Sequence, residues 1–354
     1  KSPQVANQQF DLFATPATIN TEEQGLTGFK TYENTDHLYQ YVNTPLSRKL
    51  LLKKLMQQKS VSFHIETIGF NAFESEIIGI SFSYEKGKGY LVSTENKEAA
   101  KNILEEFSPF FENNDIEKIG HELKFTIKVL NTYNIQVKGI LFDTQLAHYL
   151  LHPDMRHDMN VLSETYLNYQ PISSAGLIGK KGKNQLSIRE IDIQKLTEYT
   201  VENAAIIFQL KEIFQKDLEK FNLTKLYNNI EMPLLRVLAS MELEGIKLDG
   251  EFLNSLSVKL TEDIQKLEDT IYKEAGVEFN LASPKQLGDV LFDHLKLLDK
   301  PKKTKTGQYA TGEEILSKLA PKHQIVQEIL EWRGLVKLKN TYIDALPKEV
   351  NTVT

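Results

Sequence analysis

Three apolar runs follow one another between Ser60 and Thr94, and they constrain the fold more than any other feature of the chain. The runs SVSFHIET, IIGISFSYE and KGYLVST are rich in β-branched and aromatic residues and are bounded by glycine, asparagine or lysine. This pattern predicts consecutive strands of one sheet. After Lys97, helical segments alternate with the shorter runs EKIGHE and KGILFDT. Strands followed by such alternation predict a mixed sheet flanked by helices.

Two segments precede these strands. Residues 35–58, TDHLYQYVNTPLSRKLLLKKLMQQ, have helical spacing and predict a helix ahead of the sheet. Residues 1–24 are polar and turn-rich without a sustained period, so they are predicted to be a linker or lead-in.

The sequence changes character after Phe221, where helical patterns continue without strands. Two of the predicted helices stop at Gly245 and Gly276, where a left-handed C-cap fits. Ser283 and Pro284 form a good N-cap and N1 pair for another helix. The stretch DKPKKTKTGQYATGEE is a basic loop without apolar periodicity. These features predict an α/β domain over residues 25–220 and an all-α domain over residues 221–354.

Composition limits the possible partners and surroundings. A chain of 354 residues is long enough for two domains. Its formal net charge of −6 means that any nucleic-acid contact must come from local basic patches. The absence of cysteine excludes thiolate metal sites and disulfides. No apolar run approaches the length of a transmembrane helix. We therefore expect a cytoplasmic monomer without a membrane partner.

Nine segments occur together in the order found in a known family. In the first part of the chain they are GHELKFTIKVL, LFDTQLAHYLL, RHDMNVLSETYL, GKKGKNQLS and YTVENAAIIFQL. In the second part they are EMPLLRVLASMELEGIKLD, FNLASPKQLGDVLF, KKTKTGQYAT and EWRGLVKLKNTYIDALP. Residues 25–220 thereby resemble the proofreading 3'-5' exonuclease domain of the bacterial family A DNA polymerases. Residues 221–354 resemble the start of the polymerase domain, chiefly its thumb.

The resemblance implies a fold and a parent activity. It implies an α/β exonuclease-like (ribonuclease H-like) domain with a mixed β-sheet flanked by helices, followed by an all-α thumb subdomain. The palm and fingers are expected beyond Thr354. The parent is expected to be a DNA-directed DNA polymerase that uses Mg²⁺ and acts in DNA replication and repair. This fragment is expected neither to extend nor to degrade a primer by itself.

Three of the four carboxylates in the family's exonuclease motifs have no counterpart in this chain. The family's Asp-x-Glu motif corresponds to His64 and Glu66. The aspartate of its second motif corresponds to Thr126. Its Tyr-x-x-x-Asp motif corresponds to Tyr199 and Asn203. At these motif positions, only Glu66 and Tyr199 are the residues that the family has.

The reaction explains why these differences matter. Cutting a phosphodiester in this way uses two divalent ions about 3.5 to 4 Å apart. Magnesium prefers carboxylate oxygens, and two such cations need negative charge close by. Glu66 alone offsets a single unit of charge. We therefore expect a degenerate, inactive site without a metal or other cofactor, in a domain whose role is structural.

One alternative remains open, an active proofreading exonuclease with an altered metal site. His64 and Glu66 are weak candidate ligands for a single softer ion such as zinc. Asp143 follows a strand but is interpreted as structural. Glu202 is adjacent to Asn203 on a predicted helix and is expected to point away from the site.

DNA contacts are expected mainly in the second part of the chain. By resemblance, the basic loop lies at the tip of a thumb that grips primer-template duplex through its phosphates. Ser283 either binds phosphate at its helix N-terminus or only caps that helix. The face formed by Arg333, Lys337 and Lys339 is either duplex-facing or a solvated stripe. The expected DNA-contacting residues are Ser283, Lys285, Gln286, Lys300, Lys302, Lys303, Lys305, Arg333 and Lys337.

Two further groups are assigned to ordinary roles. Lys180, Lys181 and Lys183 are predicted to lie in a solvated loop rather than to contact DNA. Single-stranded DNA is a second expected partner of the chain, beside the primer-template duplex. His121, His148, His152 and His157 show no shared metal-ligand spacing on one helix face, and are predicted to be surface or capping residues.

Overall fold

The computed structural model describes residues 28–179 and 186–354, which fall into two compact units. The first unit ends at Ala239 and the second begins at Ser240. This division lies further along the chain than the predicted boundary at residue 220, because Tyr227, Met232 and Leu235 are buried in the core of the first unit. The predicted lead-in, residues 1–24, and the loop lysines at positions 180, 181 and 183 lie outside the described residues.

The described part of the first unit contains a six-stranded sheet. The strands are β1 Leu38–Tyr41, β2 Ser60–Ile68, β3 Glu76–Glu85, β4 Lys88–Ser93, β5 Glu117–Gly120 and β6 Leu141–Asp143. Their order in the sheet is β1-β4-β3-β2-β5-β6. Strands β2, β3 and β4 form an antiparallel meander, while β1 pairs parallel to β4 and β5 lies parallel to both β2 and β6. The predicted mixed sheet is confirmed.

Helices flank this sheet, and one prediction about them is wrong. The predicted helix over residues 35–58 is a strand, β1, followed by a shorter helix that starts at Pro45. Thr44 caps that helix, since its hydroxyl accepts the Ser47 N–H at 3.1 Å. The helices are α1 Pro45–Leu55, α2 Lys97–Phe111, α3 Leu123–Thr132, α4 Thr144–Leu151, α5 Met159–Leu167, α6 Ser174–Ile178, α7 Ile193–Lys220, α8 Thr224–Leu226 and α9 Met232–Glu244.

The two faces of the sheet bury different kinds of side chain. On one face, Phe63 of β2 and Phe82 of β3 pack against the aromatic residues of α2, among them Phe110. On the other face, the buried hydroxyls of Ser62 and Ser81 donate to backbone carbonyls of α7, each at 2.7 Å. Because side chains alternate along a strand, the even-numbered residues of β2 point toward α7.

The second unit is helical, as predicted. Its helices are α10 Gly250–Ala275, α11 Pro284–Asp289, α12 Glu313–Leu319 and α13 Gln324–Leu338. Gly245 and Gly276 have φ values of 72° and 69° after α9 and α10, which confirms both left-handed stops. Ser283 caps α11 by accepting the Gln286 N–H at 3.4 Å. The core is built around Leu291, Ile329 and Trp332.

A membrane span was sought along the described ranges. Each helix within residues 28–179 and 186–354 is too short or too polar to cross a bilayer.

Candidate functional site

A cleft of about 700 Å³ opens in the first unit beside the end of β2. His64, Glu66 and Thr126, three of the predicted site residues, line it. Aromatic and aliphatic side chains form much of the remaining wall. Among these are Phe70, Phe125, Leu146, Tyr149, Leu234 and Leu238.

Strand β2 places His64 and Glu66 on its α7 face, two residues apart. Nε2 of His64 lies 3.2 Å from Oε2 of Glu66, so the two side chains are partners. The β2–β3 register shifts between Glu66 and Thr67. Such irregularities redirect side chains at the rim of a sheet, and this one lies at the position of the remaining carboxylate.

Helix α7 supplies the other two predicted residues. Tyr199 and Asn203 lie four residues apart, on one face of the helix, and their side chains are hydrogen-bonded. Burial raises the pKa of Tyr199, and the negative charge of Glu66 raises this pKa further. The structure therefore brings His64 and Glu66 of β2 close to Tyr199 and Asn203 of α7.

Asp143 is buried in the cleft wall, and its carboxylate is bound by backbone amides. Its Oδ2 accepts the Leu123 N–H at 2.7 Å, and its Oδ1 accepts the N–H groups of Gln145 at 2.9 Å and Leu146 at 3.2 Å. Burial raises its pKa to about 6 although these hydrogen bonds oppose the increase. The carboxylate fixes the starts of both α3 and α4, in keeping with a structural role.

Glu122 connects this arrangement to Thr126, and its role was not evident from the sequence. It adopts a left-handed conformation with φ of 57° immediately before α3. Its carboxylate accepts the Gln145 side-chain N–H at 2.9 Å. A non-glycine residue in this region costs free energy and marks a constrained turn. The turn sets where α3 begins, and thereby places Thr126 in the cleft wall.

The Glu202 carboxylate makes its hydrogen bonds outside the cleft. Only 1% of the residue is exposed, and its two oxygens accept the Tyr169 hydroxyl at 2.6 Å and the Ile172 N–H at 2.7 Å. Burial raises its pKa to about 7. The side chain fastens the α5–α6 connection to α7 and is not among the residues that line the cleft.

The cleft residues do not fit a pair of magnesium ions. In the part of the chain that the structure describes, no group of three or more His, Cys, Asp or Glu side chains is arranged to hold a metal ion. Among the predicted residues, Glu66 offers one carboxylate, His64 a ring nitrogen that Glu66 already contacts, and Asn203 of α7, outside the cleft lining, a neutral amide. The carboxylates of Glu122 and Asp143 also line the cleft, but they accept N–H groups of Gln145 and Leu123. The predicted set lacks the anionic oxygens that hard divalent cations require.

The prediction of surface or capping roles for the histidines is wrong at His148, whereas His121 is partly buried and lines the cleft. His148 is fully buried, with Nδ1 2.7 Å from Nδ1 of His157 and Nε2 3.0 Å from the Tyr166 hydroxyl. His121 lies 2.9 Å from the Thr144 hydroxyl through its Nδ1, and burial lowers its pKa to about 3. A single histidine in a sequence carries no signal that distinguishes such burial from exposure.

In the second unit, the basic loop forms a tight hairpin. The Thr304 N–H donates to the Gln308 carbonyl at 2.8 Å, and Gly307 has a φ of 81° at the turn. Glycine adopts this conformation without the strain that a side chain would cause. All four predicted lysines of the hairpin are exposed: Lys300, Lys302, Lys303 and Lys305.

Tyr309 anchors the hairpin, a role that sequence reasoning missed. Its hydroxyl donates to Asp293 at 2.6 Å, its ring packs on Phe292, and the Lys303 ammonium lies 4.7 Å from the ring centroid. A Cβ at Gly288 would lie 2.8 Å from the Tyr309 Cβ, so glycine permits this close approach. The aromatic residue inside a lysine-rich loop was the available signal.

The other residues that are predicted to contact DNA differ in their exposure and in their hydrogen bonds. Lys285 and Lys337 are exposed, whereas the exposed Gln286 uses its Oε1 to accept the Asn280 N–H at 2.8 Å. Arg333 donates to the Thr311 carbonyl at 2.6 Å, and burial lowers its pKa. Lys339 is paired with Asp344 at 2.6 Å. Within the predicted stripe, Lys337 is thus the most accessible cation.

Two protein families match different parts of the chain. The 3'-5' exonuclease family model matches residues 39–219, and the DNA polymerase family A model matches residues 250–354. These ranges correspond to the sheet-containing domain with its cleft and to most of the helical unit with its hairpin.

Similar proteins cover both parts. DNA polymerase I of Borreliella burgdorferi is 32% identical over 98% of this chain and 37% of the relative. The Geobacillus stearothermophilus DNA polymerase I is 36% identical over 82% of this chain and 32% of the relative. The chain thus spans about a third of the length of the curated relatives it matches.

Among solved structures, the POL domain of Pol1 from M. smegmatis, in complex with DNA primer-template and dNTP, aligns with a TM-score of 0.72 and 24% identity. The alignment covers 88% of this chain and 51% of that one, and shows a common fold.

Proposed function

The chain belongs to the 3'-5' exonuclease family over residues 39–219 and to DNA polymerase family A over residues 250–354, and from this premise we propose a DNA-binding polymerase segment with a catalytically silent exonuclease-like domain. The parent polymerises DNA in replication and repair with Mg²⁺. The silent domain has a structural role. The helical unit acts as the thumb.

The observation that carries the proposal is that Glu66 is the one carboxylate at the motif positions, while the other acidic residues that line the cleft are not arranged with it to hold a metal ion. Two unit charges 4 Å apart interact with about 1 kcal/mol in water, so two divalent ions repel each other by about 4 kcal/mol, and by more at a partly buried site. His64, Thr126 and Asn203 bring no negative charge to offset this repulsion. A single carboxylate does not hold such a pair, and the phosphodiester is not cut.

DNA binding by the helical unit is supported by the hairpin. Four exposed lysines on one short hairpin concentrate positive charge on a chain that is acidic overall. Point charges of this kind contact backbone phosphates, and they carry no sequence information. Such contacts suit a primer-template duplex, which a polymerase must bind whatever its base sequence.

The proposal is tested by incubating the chain with 5'-labelled single-stranded DNA in Mg²⁺ or Mn²⁺. We expect no 3' trimming in either metal. The matched control is Glu66→Gln, which removes the remaining negative charge with little change of shape. Trimming by the unaltered chain that disappears in Glu66→Gln would establish the alternative, an active exonuclease with an altered metal site.

A further inference from the structure

Five of the eight histidines of the chain form a connected group between the cleft and the core of the first unit. The charge of His64 adds to the decrease in the pKa of His121, and the backbone of His157 opposes that decrease. His157 in turn faces His148, whose ring lies 5.4 Å from that of His152. The catalytic motifs of the first unit account for only His64.

We propose that the contact between His148 and His157 is an acid-sensitive clasp that holds residues 152–158 closed along one side of the cleft. His148 belongs to α4 and is fully buried. His157 belongs to the α4–α5 connection and lines the cleft. Their Nδ1 atoms lie 2.7 Å apart, which joins the connection to the core through one hydrogen bond.

The geometry limits how many protons the clasp can hold. A hydrogen bond between two Nδ1 atoms contains one proton, so at least one ring must lack its Nδ1 hydrogen. If both rings become charged, two N–H groups and two positive charges face each other at this distance. The contact then breaks, and the connection is released from α4.

The surroundings of the pair disfavour positive charge in the closed state. Tyr166 of α5 and Phe214 of α7 pack against the His148 ring, at 5.3 and 5.4 Å between centroids, and His152 is a third neighbour. Asp158, which follows His157 in the sequence, is paired with Arg156 at 3.1 Å. Other titratable neighbours are Tyr149 beside His157, His121 at the backbone of His157, and Asp217 near Tyr166.

Burial lowers the pKa of His148 to about 4 from its ordinary value of 6.5, and the nearby His157 and His152 add to the decrease. The open state therefore binds a proton more readily than the closed state between these two values. The contribution of the neutral His148 ring to the stability of the closed state is therefore fully present above pH 6.5, and it is lost as the pH falls toward 4. Protonation of His148 thus releases residues 152–158 and widens the cleft at acidic pH. This effect does not depend on whether the site cuts DNA.

Hydrogen–deuterium exchange at pH 7.5 and pH 5.0, corrected for the intrinsic pH dependence of exchange, tests the clasp. In the closed state the amides of His152 and Met155 donate to the carbonyls of His148 and His152. We expect their corrected exchange to rise on the order of tenfold at pH 5.0, because protonation favours the open state. Amides of β4 should keep their protection. Unchanged exchange at residues 152–158, or an equal rise throughout the unit, would overturn the proposal.

Variants separate the clasp from other histidines. His148→Gln removes the buried titratable ring, and exchange in this variant should depend little on pH. His152→Gln is the matched control, because it removes a neighbouring ring and leaves the contact between His148 and His157 in place, and it should retain the dependence. A His148→Gln variant with the wild-type pH dependence would contradict the proposal. If that variant does not fold, the wild-type comparison and the NMR titration of its histidine rings still decide the question, because the proposal requires ring and amide changes at the same pH.

Discussion

The variant His64→Asp, Thr126→Asp, Asn203→Asp should trim single-stranded DNA from its 3' end in Mg²⁺, at a rate at least about 10³-fold above that of the unaltered chain. His64 of β2 and Thr126 of α3 line the cleft with Glu66, and Asn203 of α7 is the partner of Tyr199, which lies within electrostatic reach of Glu66. Three added carboxylates supply the negative charge that two divalent ions require. Thr126 lies near the start of α3, where negative charge is favourable.

The same variant should lose thermal stability when metal is absent. Four carboxylates in one cleft repel one another, and this repulsion raises the free energy of the folded state. Mg²⁺ bound only by the folded state should restore the melting temperature in proportion to its concentration. The melting temperature of the unaltered chain should respond little to Mg²⁺.

A neutral variant distinguishes charge from shape in this experiment. His64→Asn with Thr126→Asn, on the existing Asn203, gives side chains of nearly the same size without added charge. It should show neither trimming nor metal-dependent melting. Equal trimming by the neutral and the charged variant would mean that missing carboxylates are not what silences the site.

Replacement of Lys300, Lys302, Lys303 and Lys305 by alanine should weaken binding to primer-template duplex about tenfold or more at 0.1 M salt. Each lost phosphate contact should also reduce the slope of log K against log salt concentration by about 0.9. Fluorescence anisotropy with a labelled duplex at several salt concentrations measures both quantities. The anchor Tyr309 is left unchanged, so that the hairpin keeps its packing on Phe292.

The control for the hairpin removes the same charge elsewhere. Lys49, Lys53, Lys97 and Lys101 are exposed on the first unit, and their replacement by alanine changes the net charge equally. This control should retain most of the affinity and the salt slope. If both variants lose affinity alike, the effect is one of overall charge and the hairpin is not a specific contact.

Strong local patterns made the core of the fold predictable. The runs that became β2, β3 and β4 are long and apolar, and each is buried on both faces of the sheet. The glycine stops at Gly245 and Gly276 and the cap at Ser283 depend on one or two residues, whose conformational preferences are strong. Such features act over a few residues and are visible without tertiary context.

The features that were missed depend on distant contacts. Strand β1 is largely exposed at the sheet edge, so it lacks the apolar signal of a strand, although Thr44 and Pro45 did mark the true helix start. Tyr227 joins the first core because its hydroxyl meets the backbone of Asp143, 84 positions earlier. The burial of His148 likewise depends on Tyr166 and Phe214 of other helices.

The candidate site was predictable in composition but not in its contacts. The resemblance identified His64, Glu66, Thr126, Tyr199 and Asn203, and the structure places them around or beside one cleft. The direct pairing of His64 with Glu66 and the backbone amides that occupy Asp143 required coordinates. Both contacts bear on metal binding, since each engages a group that a cation would need.

Anomalous diffraction from crystals soaked in Mn²⁺ tests the central claim directly, because it locates bound ions without relying on activity. We predict no pair of manganese ions within about 4 Å of each other at the Glu66 cleft. Two well-occupied ions at that separation, with Glu66 as a ligand, would contradict the account.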